Sequence, residues 1–229
     1  MADPELAACT PHPIHPDGFN PKAILPYGLT AAQMAAAMTD FVNFIGFINL
    51  ELHAQKIERL ETILMPANFS SMVGEFMTST IPKHCPTLVK NQYHNGHPDM
   101  IPAGSHPRNA IQHGAEGIEV KASRNLRAWQ GHNPEDTWLM VFVFSSNRPV
   151  DVANGIAPRP FHFVMVLGAQ VTMADWRFAG RSATSRRTIT ASITTSGYEK
   201  MMANWIYKAP DTTRAETMSL LEAPLSEDE

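Results

Sequence analysis

The chain has 229 residues, 44 % of them apolar and 17 % charged, which describes a folded protein of one large or two small domains and excludes a disordered chain. It holds no run of about 18 apolar residues for a spanning helix, its first ten residues lack the pattern of a secretory signal, and two cysteines, Cys9 and Cys85, are too few for a disulfide framework and suit a reducing compartment. The formal net charge of −4 counts against nucleic acid as a partner only for evenly spread charge, because binding depends on a face.

In chain order, residues 1–28 are rich in proline without periodicity and read as an extended arm. Thr30 reads as the N-cap of a long helical stretch from Ala31 to about Leu64, with Met34, Met38, Phe41, Ile45, Ile48 and Leu52 at helical spacing. Gly46 is a place where it would divide, and Pro66 its stop. A second helix is predicted from about Ser70 to Thr80, ending before Pro82 and carrying Glu75. Residues 81–117, rich in His, Pro, Gly and Asn, read as loops. Residues 117–122 alternate as a half-buried strand does. Two continuous apolar runs, 138–144 and 161–167, suit central strands covered on both faces. A helix is predicted around 124–131, and a last helix from Asp211 before an acidic end. Helices followed by a mixed sheet give an α/β or α+β domain.

The chemistry concentrates in two stretches, Pro98-Asp99 and Glu119-Val120-Lys121. Strand alternation puts Glu119 and Lys121 on one face and Ile118, Val120 and Ala122 on the other. With Asp99 beside Glu119, two carboxylates and the Val120 carbonyl offer hard oxygen ligands, the arrangement that suits Mg²⁺ when waters and substrate phosphate complete the shell. Lys121 would then orient or help deprotonate a metal-bound water, or stabilise a pentavalent phosphate. Glu116, between Gly114 and Gly117, reads as a turn residue and lacks the x-Lys spacing.

Pro98-Asp99, a gap of about twenty residues and Glu119-x-Lys121 resemble the PD-(D/E)XK nuclease superfamily, the fold of most type II restriction endonucleases. The resemblance covers roughly residues 70–168. It implies a restriction-endonuclease-like mixed β-sheet core flanked by helices, here preceded by an N-terminal helical region. It places Glu75 on the helix before the motif, where the family often carries a glutamate near the metal, and it expects a helix after the lysine strand. The expected division is one nuclease domain: arm and helical region 1–66, catalytic core 67–168, candidate recognition segment 169–210, and terminal helix and tail 211–229. The implied activity is Mg²⁺-dependent, sequence-specific cleavage of double-stranded DNA to 5′-phosphate and 3′-hydroxyl ends, by a homodimer in the cytoplasm of a bacterial or archaeal cell. The Gln-x-x-x-Tyr element of recombination nucleases fails at Gln130, because Pro134 stands where the tyrosine should be. A repair or junction-resolving nuclease on the same core, and a non-catalytic DNA-binding protein, are the alternatives.

Arg177, Arg181, Arg186 and Arg187 lie between Trp176 and Tyr198 with no acid among them and dense Ser and Thr around them. Such a stretch suits phosphate and base-edge contacts, so DNA binding is expected to be local and salt-sensitive. Arg124 and Arg127 are candidate phosphate clamps, and Arg108 a further groove contact. His94-x-x-His97 and Cys9-x-x-His12-x-x-His15 look like partial zinc patterns without a second half. No Walker or dinucleotide loop and no serine elbow is present, so no nucleotide cofactor is expected.

Overall fold

The computed structural model describes residues 3–127, 129–131, 133–178, 191–210 and 212. The N-terminal arm is not wholly extended: Asp3 caps a short helix, α1 (Pro4–Ala8). Beyond it the arm runs along the far edge of the sheet, where Asn20 N–H donates to the Ile206 carbonyl at 3.0 Å. Thr30 then starts α2 (Ala31–Ala54) with a reciprocal capping box to Gln33. This helix is long and apolar enough to cross a membrane by length and composition, but Met34, Met38, Phe41 and Ile45 are wholly buried in the core. Gly46 does not divide it. That glycine lets Pro11 of the arm approach, and an added Cβ would stand 2.9 Å from the proline ring.

The helical stretch ends ten residues earlier than its periodicity predicts, and a short α3 (Leu60–Ile63) follows. Pro66 is a start and not a stop. It occupies the first turn of α4 (Pro66–His84), where its missing N–H has no helical partner to lose. Pro82 lies inside the last turn of α4, so that helix outruns its predicted bounds at both ends.

The strands are β1 (Leu88–Lys90), β2 (Met100–Pro102), β3 (Ile118–Ser123), β4 (Gln130–Gly131) and β5 (Thr137–Ser145). After α5 (Pro149–Ala153) come β6 (His162–Val171), β7 (Trp176–Phe178), β8 (Ala191–Ile193), α6 (Thr195–Ala203) and β9 (Trp205–Lys208). The architecture is mixed α+β. Six strands form one sheet in the order β1-β2-β3-β5-β6-β9, and β4-β8-β7 form a second. Only β3 and β5 of the six run parallel; the other pairs are antiparallel.

Both faces of the large sheet are covered, which is why β5 and β6 read as unbroken apolar runs. Met140, Phe142 and Phe144 point to the α2–α4 side, where Phe41, Phe69, Phe161 and Phe163 join them. Leu139, Val141 and Val143 point to the other side, against Leu126, Trp129, Trp176 and Met201. The helix predicted around 124–131 is not formed among the described residues. Leu126 and Trp129 are pulled into the second cluster instead, and β4 pairs with β8. The helix predicted from Asp211 lies outside the described residues, apart from Thr212.

Candidate active site

The loop before β2 is organised by one buried asparagine. Asn91 Nδ2 donates to the carbonyls of Pro98 (3.0 Å) and Ile111 (2.8 Å). Its Oδ1 accepts from the N–H groups of Tyr93 and Ile111, both at 3.1 Å. This brings Pro98-Asp99 to the head of β2, where Met100 pairs with Ile118 of β3. Asp99 Oδ2 then accepts from Val120 N–H at 2.8 Å, in place of a strand carbonyl.

Alternation along β3 is as predicted. Ile118 and Val120 join the core on the α4 side, so Glu119 and Lys121 project from the opposite face. Glu119 Oε1 accepts from Lys121 Nζ at 2.5 Å, and its Oε2 accepts from His97 Nδ1 at 2.9 Å. His97 Nδ1 also lies 3.0 Å from Glu135 Oε2. Asp99, Glu119 and Lys121 line a cleft of about 1070 Å³, walled by α4, the 90–97 loop and the 131–135 segment.

Charge in this group is unevenly satisfied. Burial alone would raise the Glu119 carboxyl, but the His97 hydrogen bond and the Lys121 ammonium outweigh it and hold it at about 2. Burial pushes Asp99 up, the Glu119 charge pushes it further, and it reaches about 6 despite Lys121 and the Val120 N–H. Burial opposes the Lys121 charge, but Glu119 and Asp99 keep it an ammonium, raised above its ordinary value. Burial would also lower His97, and the two glutamate contacts lift it to about 9. Three carboxylates thus face two cations, with Asp99 the least compensated and its Oδ1 taking no hydrogen bond among the described residues. A divalent cation fits that deficit. No three His, Cys, Asp or Glu side chains converge as a ready-made cage among the described residues, but Mg²⁺ needs only one or two carboxylates with waters and phosphate.

The His97 contacts have a consequence for stability. Its folded value of about 9 lies above the ordinary 6.5, so the stabilisation is full below pH 6.5 and is lost as pH rises through 9. Denaturant unfolding should show a loss on the order of 3 kcal/mol across that window, and a His97→Gln variant should remove the slope.

Glu75 reaches the same cleft from α4. It is exposed and paired with Lys90 Nζ at 2.7 Å, and its charge adds to the upward push on Asp99. Val120 lines the cleft as well. The arginines divide. Arg124 is a correction: it is buried, lies 5.0 and 4.9 Å over the rings of Phe69 and Phe144, and donates to Ser146 Oγ and the Pro66 carbonyl. It packs the core and is not offered to a phosphate. Arg127 is exposed, over the Tyr198 ring at 5.5 Å. Arg108 and Arg177 are exposed away from the cleft lining. Arg181, Arg186 and Arg187 lie outside the described residues.

The zinc-like patterns come apart. His94 is exposed on the cleft wall while His97 turns in to Glu119. Cys9 is buried and donates to the carbonyls of Glu5 and Asn49. The sequence reading missed His97 as a partner of Glu119, and Glu135 altogether. The available signal for Glu135 was an acidic residue just ahead of a strand, β5, that lies parallel beside β3. Comparison of the chain with protein-family models, curated proteins and solved structures finds no match.

Proposed function

We propose that the protein is a Mg²⁺-dependent, sequence-specific endonuclease of double-stranded DNA, of the type II restriction kind, on a PD-(D/E)XK-like core. The observation that carries this reading is the convergence of Asp99, Glu119 and Lys121 on one cleft, with Glu75 on the helix before the motif reaching the same space. The irregular 124–131 segment departs from the helix that the resemblance expects after the lysine strand.

Asp99 Oδ1 and Glu119, with the Val120 carbonyl, would hold the ion. When bound, Mg²⁺ would supply Lewis-acid charge on the scissile phosphate and a water of lowered pKa. Lys121 is already protonated, so its part is to orient the attacking water and stabilise charge on the phosphate, rather than to take a proton. Glu75, released from Lys90, would support the site through a water or a second ion. The products would be 5′-phosphate and 3′-hydroxyl ends. Exposed Arg127, Arg177 and Arg108, with Arg181, Arg186 and Arg187, would contact DNA, and a homodimer would match a palindromic site. The cytoplasm of a bacterial or archaeal cell is the compartment such an enzyme would occupy.

The test is incubation of plasmid DNA with the protein in Mg²⁺ and in EDTA, followed by sequencing of fragment ends. Discrete ends found only with Mg²⁺ are expected. Plasmid left uncut in Mg²⁺ overturns the reading, and preferential cutting of branched DNA would move it to a junction-resolving enzyme.

A further inference from the structure

The function proposed above leaves two groups of the cleft unused. His97 Nδ1 lies 2.9 Å from Glu119 and 3.0 Å from Glu135, and all three side chains are three-quarters or more buried. Each end of this bridge is anchored independently. The His97 N–H donates to the Gln112 carbonyl, and Gly114 N–H donates to the His97 carbonyl, both at 2.9 Å. The Glu135 carbonyl accepts from Trp176 Nε1 at 2.9 Å, and the neighbouring Asp136 accepts from Met173 N–H at 2.7 Å. The imidazole is therefore delivered by one loop and its outer carboxylate by another, and they meet only over Glu119.

That geometry constrains the Glu119 carboxylate group. Lys121 holds Oε1 and His97 holds Oε2, so rotation of the carboxylate plane breaks one contact or the other. His97 Nε2 is buried with no hydrogen-bond partner among the described residues, so the ring's polar contacts there are those of Nδ1. Glu135 shares Nδ1 and keeps the ring from turning away when Glu119 gives charge to another cation. Ligating carboxylates elsewhere depend on such outer hydrogen bonds, and loss of one typically costs 10–100-fold in metal affinity.

We infer that Glu135, acting through His97, is a positioning residue that fixes the Glu119 carboxylate for binding a divalent cation; this rests on reading Asp99 and Glu119 as the cation site. Neither His97 nor Glu135 belongs to the motif on which the resemblance was built.

The test uses the full-length protein and Mn²⁺, with free ion counted by electron paramagnetic resonance, so the readout is binding and not cleavage. His97→Ala and Glu135→Ala should each weaken Mn²⁺ binding about tenfold. Glu135→Gln, whose amide oxygen still accepts from Nδ1–H, should stay within about threefold of wild type, which loss of fold would not allow. Melting in EDTA and metal-free DNA binding by fluorescence anisotropy should be unchanged in Glu135→Gln. Asp99→Ala serves as the reference variant and should abolish Mn²⁺ binding. If Asp99→Ala loses Mn²⁺ while Glu135→Ala and His97→Ala bind as wild type, the positioning role is overturned and the cation site stands. Tighter binding in His97→Ala would make the imidazole a competitor of the ion and also overturn it. If Asp99→Ala binds Mn²⁺ as wild type does, the cation site itself falls, and the inference with it.

Discussion

If the protein is the proposed nuclease, Asp99→Ala and Lys121→Ala should each lower the rate of plasmid cleavage by about 10²–10³-fold or more, while binding to an uncut DNA duplex without Mg²⁺ should change little. The two losses have different causes. Asp99 is the least compensated charge in the cleft, and its Oδ1 would be the oxygen that meets the proposed ion. Asp99→Asn is the sharper form of the test. The amide keeps the side-chain shape and can still accept from Val120 N–H, yet it brings no charge to the ion. It should therefore cut nearly as poorly as Asp99→Ala and melt close to wild type. Lys121 is needed for a different reason. As an ammonium at 2.5 Å from Glu119 it would place positive charge where a scissile phosphate gains negative charge, and alanine would leave none. A rise in Mg²⁺ should not rescue Lys121→Ala. Undiminished cleavage by Asp99→Ala would end the assignment of the site.

The largest effect on stability is expected far from the cleft, at Arg59. Its guanidinium is 2 % exposed and the carboxylate of Glu61 wholly buried. Arg59 Nη1 donates to Glu61 Oε1 at 2.7 Å and to the Arg159 carbonyl at 2.8 Å, Nη2 to Asn147 Oδ1 at 2.9 Å, and Nε to Glu5 Oε2 at 2.9 Å. Asn49 Nδ2 holds the other Glu61 oxygen at 2.9 Å. This network ties α1, α2, α3 and the loops around α5 through a single side chain. Arg59→Met keeps the volume and strands Glu61 as a buried charge, at a cost of about 3–5 kcal/mol. For a chain of this size the melting temperature should fall by roughly 6–20 °C. A double variant, Arg59→Met with Glu61→Leu, should recover much of the loss, because it removes the stranded charge. A single variant that melts within a degree of wild type would show that the network carries little stability.

How much of this was legible from residues alone depended on how local the determinant was. The Thr30 cap, the alternation of 118–122 and the apolar runs of β5 and β6 are set by neighbours in sequence, and each reading agrees with the structure. That Asp99 would lie beside Glu119 was an expectation from the resemblance, and the Asn91 network shows how the chain brings the two together. Pro66 was misread because proline suits a helix's first turn as well as it ends one. The 124–131 helix was misread because Leu126 and Trp129 answer to the second cluster and to β8, where Ile193 N–H donates to the Trp129 carbonyl, contacts that no local spacing announces. Arg124 looked like a phosphate clamp, since nothing local reveals that Phe69 and Phe144 make a pocket for its guanidinium. The His97–Glu135 contact joins two loops, where periodicity carries no signal.

The N-terminal arm has a consequence for how the molecule is made. Asn20 donates to Ile206, Asn204 bonds both ways with Ile24, and the Phe19 ring packs tilted against Tyr207 with centroids 4.9 Å apart. Residues 19–24 therefore have no dock until the segment around β9, 180 residues further along the chain, has been made. Closure over so long a span is intrinsically slow. A chain truncated before Trp205 would expose the outer edge of β6 and leave residues 19–24 undocked, so such fragments should aggregate more readily than the longer chain.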